Sequence, residues 1–305
     1  MTDISGLDFN LLKALDALLD ERNVTRAANR LSVTQPAMSG MLTRLRDAFG
    51  DPLFVRAQRG IVPTDRALEL RLPVKRLMSE IGSLLQPPTF DPMTADQTFT
   101  LAATDYAQRT IAVPFLTTLK QRAPRIRVSL IGVEHTVMQG HLERGEIDLA
   151  LLTPEMTPPD LHARRLFDER YVCVVREGHP IARGDRLTMK QFCDLDHALV
   201  SYSGNPFHGV TDDALEKLGK HRQVSLSVQC FLVLPEILMA SDMIAVLPSR
   251  LVKGMAGLRV FEPPFVIEGF TKVAAWHERT HRDVAHRWLR ELLFEVCGDG
   301  VSPPS

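Results

Sequence analysis

Gln35, Ser39, Thr43 and Arg46 recur at i, i+4, i+8 and i+11 in the stretch NVTRAANRLSVTQPAMSGMLTRLR, residues 23–46. On an α-helix that spacing makes one polar stripe. Such a stripe suits the edges of duplex DNA. A glutamine amide donates and accepts together, which fits one adenine. The two hydroxyls bond either bases or phosphates, and a guanidinium suits a phosphate. A major groove about 12 Å wide admits one helix, and Ala37 and Gly40 keep this surface low. A helix N-terminus favours a phosphate, which adds Thr34 and Pro36 to the candidates. Pro36 costs little there, because the first turn has no donor to lose.

These side chains need a scaffold. The opposite face of the same segment carries Met38, Met41, Leu42, Leu45 and Phe49, an apolar stripe at helical spacing. Upstream, LDFNLLKALDALLDER has apolar residues at 11, 12, 15, 18 and 19, and Val24, Ala27, Ala28 and Leu31 make a short one-sided helix. Three short amphipathic helices cannot bury a face alone, so they pack on one another. After FGDP, the segment LFVRAQRGIVPT reads as a hairpin turning near Gly60, a wing after a helix-turn-helix. From Arg22 to Arg59 the chain has seven arginines and no lysine, against Asp47 and Asp51. Arg26, Arg44 and Arg46 lie where the flanking DNA backbones pass, and Arg56 and Arg59 on the wing reach the minor groove or its phosphates. A solvated helical hairpin is the competing reading of the bare pattern, and the arginine cluster and the wing weigh against it.

From Thr64 to about Gln86 the pattern is helical again. Leu70, Val74, Leu77, Ile81 and Leu84 form a short heptad seam, which suggests pairing with a second copy. Pro73 predicts a kink, and QPPTFDP stops the helix. Beyond residue 95, strand and helix alternate: TFTLAAT, RIRVSLIGV and IDLALLT are strands, as are RYVCVVREG, HALVSYS, QVSLSV, MIAVLP and FTKVAAWHE. That alternation argues for βαβ units in two lobes, with crossings near 153–165 and 263–271.

The whole chain bounds these readings. Its 305 residues favour about two domains, and 45% hydrophobic with 24% charged residues is ordinary globular composition. No run of about 18 apolar residues predicts a membrane span. MTDISGLDFN carries no basic n-region, so the expected location is cytoplasmic. The four cysteines are far apart, without a CxxC, and read as reduced thiols.

FNLLKALDALLDERNVTRAANRLSVTQPAMSGMLTRLRDAFGDPLFVR followed by VPT resembles the N-terminal region of LysR-type transcriptional regulators. The matching elements are Ala27-Ala28 with Leu31, Thr34-Gln35-Pro36-Ala37 with Ser39, Leu42 with Leu45, and Pro52-Leu53-Phe54 with Arg56. ERNVTRAA, WHER and HRWLRELL are similar to the branch containing nodulation and salicylate regulators. Gly40 departs from many relatives, which carry Asn or Arg there. The resemblance covers the full length and implies an α+β multidomain chain. A winged helix-turn-helix occupies 1–64 with its motif at about 24–43, and a long linker and dimerisation helix occupies 65–90. A C-terminal two-lobed α/β effector domain like periplasmic binding proteins follows at 91–305, with lobe 1 at about 91–164 and 269–305 and lobe 2 at about 165–268. It further implies promoter DNA as partner, a dimer through the linker helix assembling into a tetramer, RNA polymerase as a further partner, a small-molecule effector and no cofactor.

A cleft between lobes binds ligands at strand C-terminal ends. The candidates are Thr104 and Asp105, Glu134 and His135, and Thr153 from the first lobe. Tyr202, Ser203, Phe207, His208 and Phe231 come from the second, and His277 ends the returning strand. The mix of Tyr, Phe and His suits a flat aromatic acid, and the resemblance points to Thr104 and His208 as its contacts. Against these stand simple capping by Thr104 and Asp105, structural roles for His179 and His277, and a core role for Phe231. No P-loop, GxGxxG, GxSxG or HExxH occurs, and His141 and Glu143 lack a second ligand at helical spacing. An enzyme is therefore not expected. The competing function is a cytoplasmic small-molecule-binding protein or enzyme carrying an N-terminal helical interaction module.

Overall fold

The computed structural model describes residues 8–58, 60–84, 89–133, 138–201 and 205–298. The chain divides into two compact units, Met1–Pro88 and Thr89–Ser305. Arg59, Glu134, His135, Tyr202 and Ser203 lie outside the described residues.

The first unit is helical. Asp8 caps α1 (Phe9–Glu21) by accepting from Asn10 N at 2.9 Å, and α1 ends at Arg22 in the left-handed region, φ 48°. Asn23 caps α2 (Val24–Arg30) through Arg26 N at 3.0 Å, and Thr34 caps α3 (Gln35–Phe49). One core joins the three: Leu11, Leu15 and Leu18 of α1, Ala27 and Ala28 of α2, and Met38, Leu42 and Leu45 of α3. The paired alanines leave room for helices to cross closely. Strands β1 (Phe54–Ala57) and β2 (Gly60–Pro63) form the wing, antiparallel with Val55 opposite Val62. Gly60 has φ 111°, and a Cβ there would meet the Arg22 carbonyl oxygen at 2.5 Å. Ile61 N bonds the same carbonyl at 3.1 Å, so the wing is pinned to the end of α1. Only glycine permits both the angle and the approach.

Helix α4 (Asp65–Leu84) runs through Pro73 as one element. Ala67 and Val74 are buried on the core of their own unit, and Leu70 and Met78 pack against it. Leu68, Leu72, Leu77 and Leu84 are exposed, Leu72 at 66% and Leu84 at 82%. The expected self-pairing seam is thus divided: Leu70 and Val74 turn inward to α1, Leu77 and Leu84 stay exposed, and Leu68 and Leu72 are exposed on another face of the helix.

The second unit holds two five-stranded sheets. The first contains β3 (Thr98–Ala103), β4 (Arg127–Ile131), β5 (Leu149–Leu152), β6 (His162–Glu169) and β12 (Phe270–Trp276), in the order β4-β3-β5-β12-β6. The second contains β7 (Tyr171–Arg176), β8 (Asp196–Val200), β9 (Gln223–Val228), β10 (Ile244–Pro248) and β11 (Leu258–Phe261), in the order β11-β7-β10-β8-β9. β3, β4 and β5 are parallel, as are β8, β9 and β10. A helix of mixed character follows β3, as α5 (Asp105–Ala107), a π turn (Gln108–Ala112) and α6 (Val113–Arg122). The remaining helices are α7 (Met138–Arg144), α8 (Met189–Asp194), α9 (Val210–Glu216), α10 (Leu234–Met239), α11 (Ser249–Val252) and α12 (Val284–Cys297).

The expected lobe boundary at 164/165 falls inside β6, which pairs with β12 from His162 to Glu169. The first crossing is therefore at Arg170, between β6 and β7. Strand β6 escapes periodicity reading because it is an edge strand whose sequence HARRLFDE leaves Arg164 and Arg165 exposed. The second crossing lies between Phe261 and Phe270. There Gly269 is required by close approach, since a Cβ would sit 2.1 Å from the Glu169 carbonyl oxygen. Among the described residues, no helix is long and apolar enough to cross a membrane.

Candidate nucleic-acid interface and effector site

The polar face of α3 is open to solvent. Thr34 Oγ1 accepts from Ala37 N at 3.3 Å, and Gln35, Pro36, Gly40 and Thr43 are exposed. Gln35 Nε2 donates to Ser39 Oγ at 3.0 Å, and Thr43 Oγ1 donates to the Ser39 carbonyl at 3.2 Å. The stripe is thus joined by local bonds along its length. Such bonds are worth little net in water and exchange readily for bonds to a ligand. Arg44 and Arg56 are exposed, and neither has a partner among the described residues.

Two other arginines are engaged. Arg26 pairs with Glu21 at 3.5 Å and donates to the Glu21 carbonyl. Arg46 donates from Nε to the Pro52 carbonyl at 2.8 Å and from Nη2 to the Phe54 carbonyl at 3.0 Å. The chain turns back after Gly50, φ 61°, and carries both carbonyls past this side chain. Arg46 therefore holds the wing root to α3, and the open stripe ends at Thr43. Behind this face, Asp20 is shared by Lys75 at 3.0 Å and Arg30 at 3.0 Å, tying α1 to α4 and α2. The Lys75 bond leads in holding the Asp20 carboxyl below its usual range.

In the second unit the C-terminal ends of the two sets of parallel strands meet. Asp105, just after β3, accepts from Leu232 N beyond β9 at 3.2 Å. Tyr106 stands 5.9 Å from Phe231 and 5.6 Å from Phe270, ring centre to ring centre. Thr104 caps α5 through Ala107 N at 3.4 Å, and Thr153 follows β5 on the same sheet edge. Ser201, after β8, donates to the Asn205 carbonyl at 3.0 Å. Phe207 is exposed, and His208 Nε2 lies 2.7 Å from Asp213 Oδ1. That bond to Asp213 holds the His208 imidazole above its usual range.

His277 departs from the expected set. β12 runs antiparallel to β5, with Val273 opposite Leu152 and Ala275 opposite Ala150. Its start therefore lies by Thr104 and Thr153, and its end by the opposite sheet edge. There His277 Nδ1 accepts from Arg279 N at 3.3 Å, a capping role. At that same far edge His162, Glu278 and His281 bring three ligand atoms within 4.8 Å of one another. Trp276 Nε1 donates to His281 Nδ1 at 3.2 Å, which leaves the neutral ring's proton on Nε2. A cation needs that second nitrogen bare, so the arrangement favours a ring stack, seen as His162 on His281 at 4.1 Å.

Comparison with known proteins decides the family. Residues 9–68 match the model of the bacterial regulatory helix-turn-helix protein, lysR family, and residues 94–298 match that of the LysR substrate binding domain. The chain belongs to the LysR family. It is 35% identical over 302 residues to the HTH-type transcriptional activator NahR of Pseudomonas putida, covering 97% of this chain and 100% of that one. It is 32% identical to Nodulation protein D 1 of a Bradyrhizobium strain, covering 97% and 95%. The crystal structure of the probable transcriptional regulator PA0477 from Pseudomonas aeruginosa aligns with a TM-score of 0.60 at 31% identity, covering 98% of each chain. This LysR-family chain is a sequence-specific DNA-binding transcriptional regulator with an effector-binding domain. As a LysR regulator it binds promoter DNA and oligomerises.

Three residues at the meeting edges of this regulator escape sequence reading. Glu169 is 4% exposed yet carries five bonds. It accepts from Tyr106 Oη at 2.6 Å, Ser249 Oγ at 2.7 Å and Arg170 N at 2.9 Å, and from Ser249 N and Arg250 N at 3.2 Å each. It thus ties the first sheet to the start of α11 in the second. Burial leads in pushing the Tyr106 phenol far above its usual range, with the Glu169 charge adding to it. Lys272 is also 4% exposed, and burial alone lowers its ammonium to about 8. Glu169 closes an exposed edge strand, and Lys272 is the third residue of β12, followed only by apolar residues. Only the alternation of FTKVAAW, which puts a lysine on an inward face, hinted at the second.

Proposed function

We propose that this regulator reads its operator with the open face of α3 and answers to an aromatic acid held between the two sheet edges. The polar stripe of exposed Gln35 and Thr43 with half-buried Ser39, flanked by Arg44 and Arg56, which have no partner among the described residues, carries the first half. Gln35 bonds an adenine edge. Ser39 and Thr43 bond bases or phosphates, and the helix start at Thr34 to Pro36 faces a phosphate. Arg44, Arg56 and Arg59 hold the flanking backbones, while Arg26 shares its charge with Glu21 and Arg46 supports the wing.

Two copies join through α4, whose exposed Leu68, Leu72, Leu77 and Leu84 need a cover. At about 1.5 Å per residue this helix sets two reading heads apart, and paired half-sites follow from dimer symmetry. Two dimers make a tetramer that meets RNA polymerase at the promoter, in the cytoplasm. On the effector side Thr104, Asp105, Thr153, Phe207, His208 and Phe231 line the site, and Glu134, His135, Tyr202 and Ser203, outside the described residues, are assigned to it from the sequence alone. The aromatic cluster of Tyr106, Phe231 and Phe270 supports a flat ring as ligand. Unequal affinity of that ligand for two lobe arrangements shifts the dimer between states.

The test is a gel shift with the full-length chain on its own upstream intergenic DNA against random duplex, over a salt series, with sedimentation of the free protein. The expected result is a sequence-dependent shift that falls steeply with salt, from a protein that sediments as a dimer or tetramer. A strictly monomeric chain that binds both duplexes alike overturns the reading and favours the interaction-module alternative.

A further inference from the structure

Lys272 carries an observation that the site so far leaves unused. The residue is buried at 4% exposure, and among the described residues its ammonium has one hydrogen-bond partner, the Leu151 carbonyl at 3.4 Å. No carboxylate pairs with it among the described residues. A lysine ammonium has three donors, so two are left over. Burying a charge without a counter-ion is costly, and an anion brought by a ligand offsets that cost. Even lowered to about 8, the group is mostly protonated at neutral pH.

Its position matters as much as its charge. Lys272 stands on β12 at a bulge, where the register to β6 slips between Lys272 and Val273. Bulges re-aim side chains and gather beside binding sites. The ammonium lies 5.9 Å from the centre of the Tyr106 ring, and the same ring packs near Phe231, in the turn after β9, and Phe270. Leu151, whose carbonyl it meets, lies two residues before Thr153. A buried cation and an aromatic wall thus share the junction of the two sheet edges. Glu169, a buried acid in the same network, already accepts from Tyr106, Ser249 and three backbone amides.

We propose that Lys272 is the anion-binding residue of the effector site, taking the carboxylate of an aromatic acid whose ring packs on Tyr106, Phe231 and Phe270. This rests on the effector site lying between the sheet edges, as argued above. It adds the charge that selects an acid over a neutral aromatic compound. The carboxylate accepts from the two spare ammonium donors, and the Leu151 carbonyl keeps the third.

Calorimetric titration of the full-length chain with sodium benzoate and with its neutral analogue benzamide tests this. The wild type is expected to bind benzoate about 10- to 100-fold tighter than benzamide, the range for a hydrogen bond to a charged group. Lys272→Met should bring that ratio to about one, by weakening benzoate alone. In buffer free of carboxylates, the variant should also melt higher than the wild type, because it no longer buries an unpaired charge. A wild-type ratio near one, or no benzoate binding at all, overturns the proposal. So does a variant that melts lower and keeps the benzoate preference, since Lys272 is then a structural tie. Phe231→Ala separates the two layers of the argument. It should weaken benzoate and benzamide alike. If it changes neither while Lys272→Met abolishes the preference, the anion site stands and the site between the edges falls.

Discussion

The two units of this regulator handle polarity in opposite ways. Among the described residues of the helical unit, every fully buried side chain is apolar, and the polar stripe proposed to read DNA lies on the surface of α3. The α/β unit instead buries Glu169, His197, Lys272, His286 and Arg290. Glu169, Lys272 and His286 take partners from far along the chain, and His197 and Arg290 bond carbonyls that nearby turns present. His286 Nε2 bonds the Asp148 carbonyl at 2.7 Å, and Arg290 donates to the Thr280 and His281 carbonyls. His197, lowered to about 4 chiefly by burial, bonds the Phe192 carbonyl beside the buried Arg222–Asp212 pair. A surface reader can swap side chains with little effect on its own stability. An internal receptor puts its specificity and its stability on the same residues.

If that contrast holds, the largest stability effects fall in the α/β unit. Glu169→Ala removes the acceptor for five donors across the lobe crossing, and buried donors left unmatched cost about 1–3 kcal/mol each. We expect a loss of about 3 kcal/mol or more, read as a lower urea midpoint for the α/β unit with the helical unit's transition unmoved. Two transitions are to be followed separately, since two units need not unfold together. A small loss would show that water replaces the carboxylate and would break the contrast.

Lys272 gives the next effect, and its sign runs the other way. Its folded value near 8 lies below the ordinary lysine value of 10.5, so between those pH values the unfolded chain binds more protons. Stability therefore rises with pH across about 8 to 10.5, and the full penalty is present below about 8. At 1.36 kcal/mol per pKa unit the penalty is roughly 3 kcal/mol at neutral pH. Lys272→Met should gain an amount of that order at pH 7 and lose the rise towards pH 10. Thermal melts of both proteins over that range check it, and the difference between the curves isolates Lys272 from other titrating groups. Parallel curves would mean that the ammonium is already compensated.

The same contrast explains what could be read in the sequence. The helix-turn-helix was legible because its function is local: Gln35, Ser39 and Thr43 share a face by helical spacing alone, and Met38, Leu42 and Leu45 face the core for the same reason. Helical spacing put Arg46 on the open stripe and could not show its partners, the Pro52 and Phe54 carbonyls, because they depend on the turn after Gly50. In the α/β unit Thr104, Asp105 and Thr153 were placed on one edge by the rule for strand C-terminal ends. His277 was not, because strand direction decides which end it occupies, and β12 runs against β5. Edge strand β6, the Glu169 crossing and the unpaired charge on Lys272 are products of long-range pairing that local periodicity does not record.

The helical unit supplies the smaller effects, on binding with little on folding. Gln35→Ala breaks only the bond to Ser39 within the chain, so its unfolding midpoint should hardly move. At the operator it should cost about 1–3 kcal/mol and blur the preferred base, which competition between operator variants measures. Unchanged discrimination would place base reading elsewhere on α3. Arg56→Ala is expected to do less at any one sequence. With no partner among the described residues to lose, it should weaken binding to all duplexes alike and reduce the slope of affinity against salt by about one ion. The two variants together sharpen the comparison, because a reader built from exposed side chains loses specificity from one residue and general affinity from another. A Arg56→Ala defect confined to one operator position would move this residue from the phosphates to a base edge, and the wing would then be a second reading element.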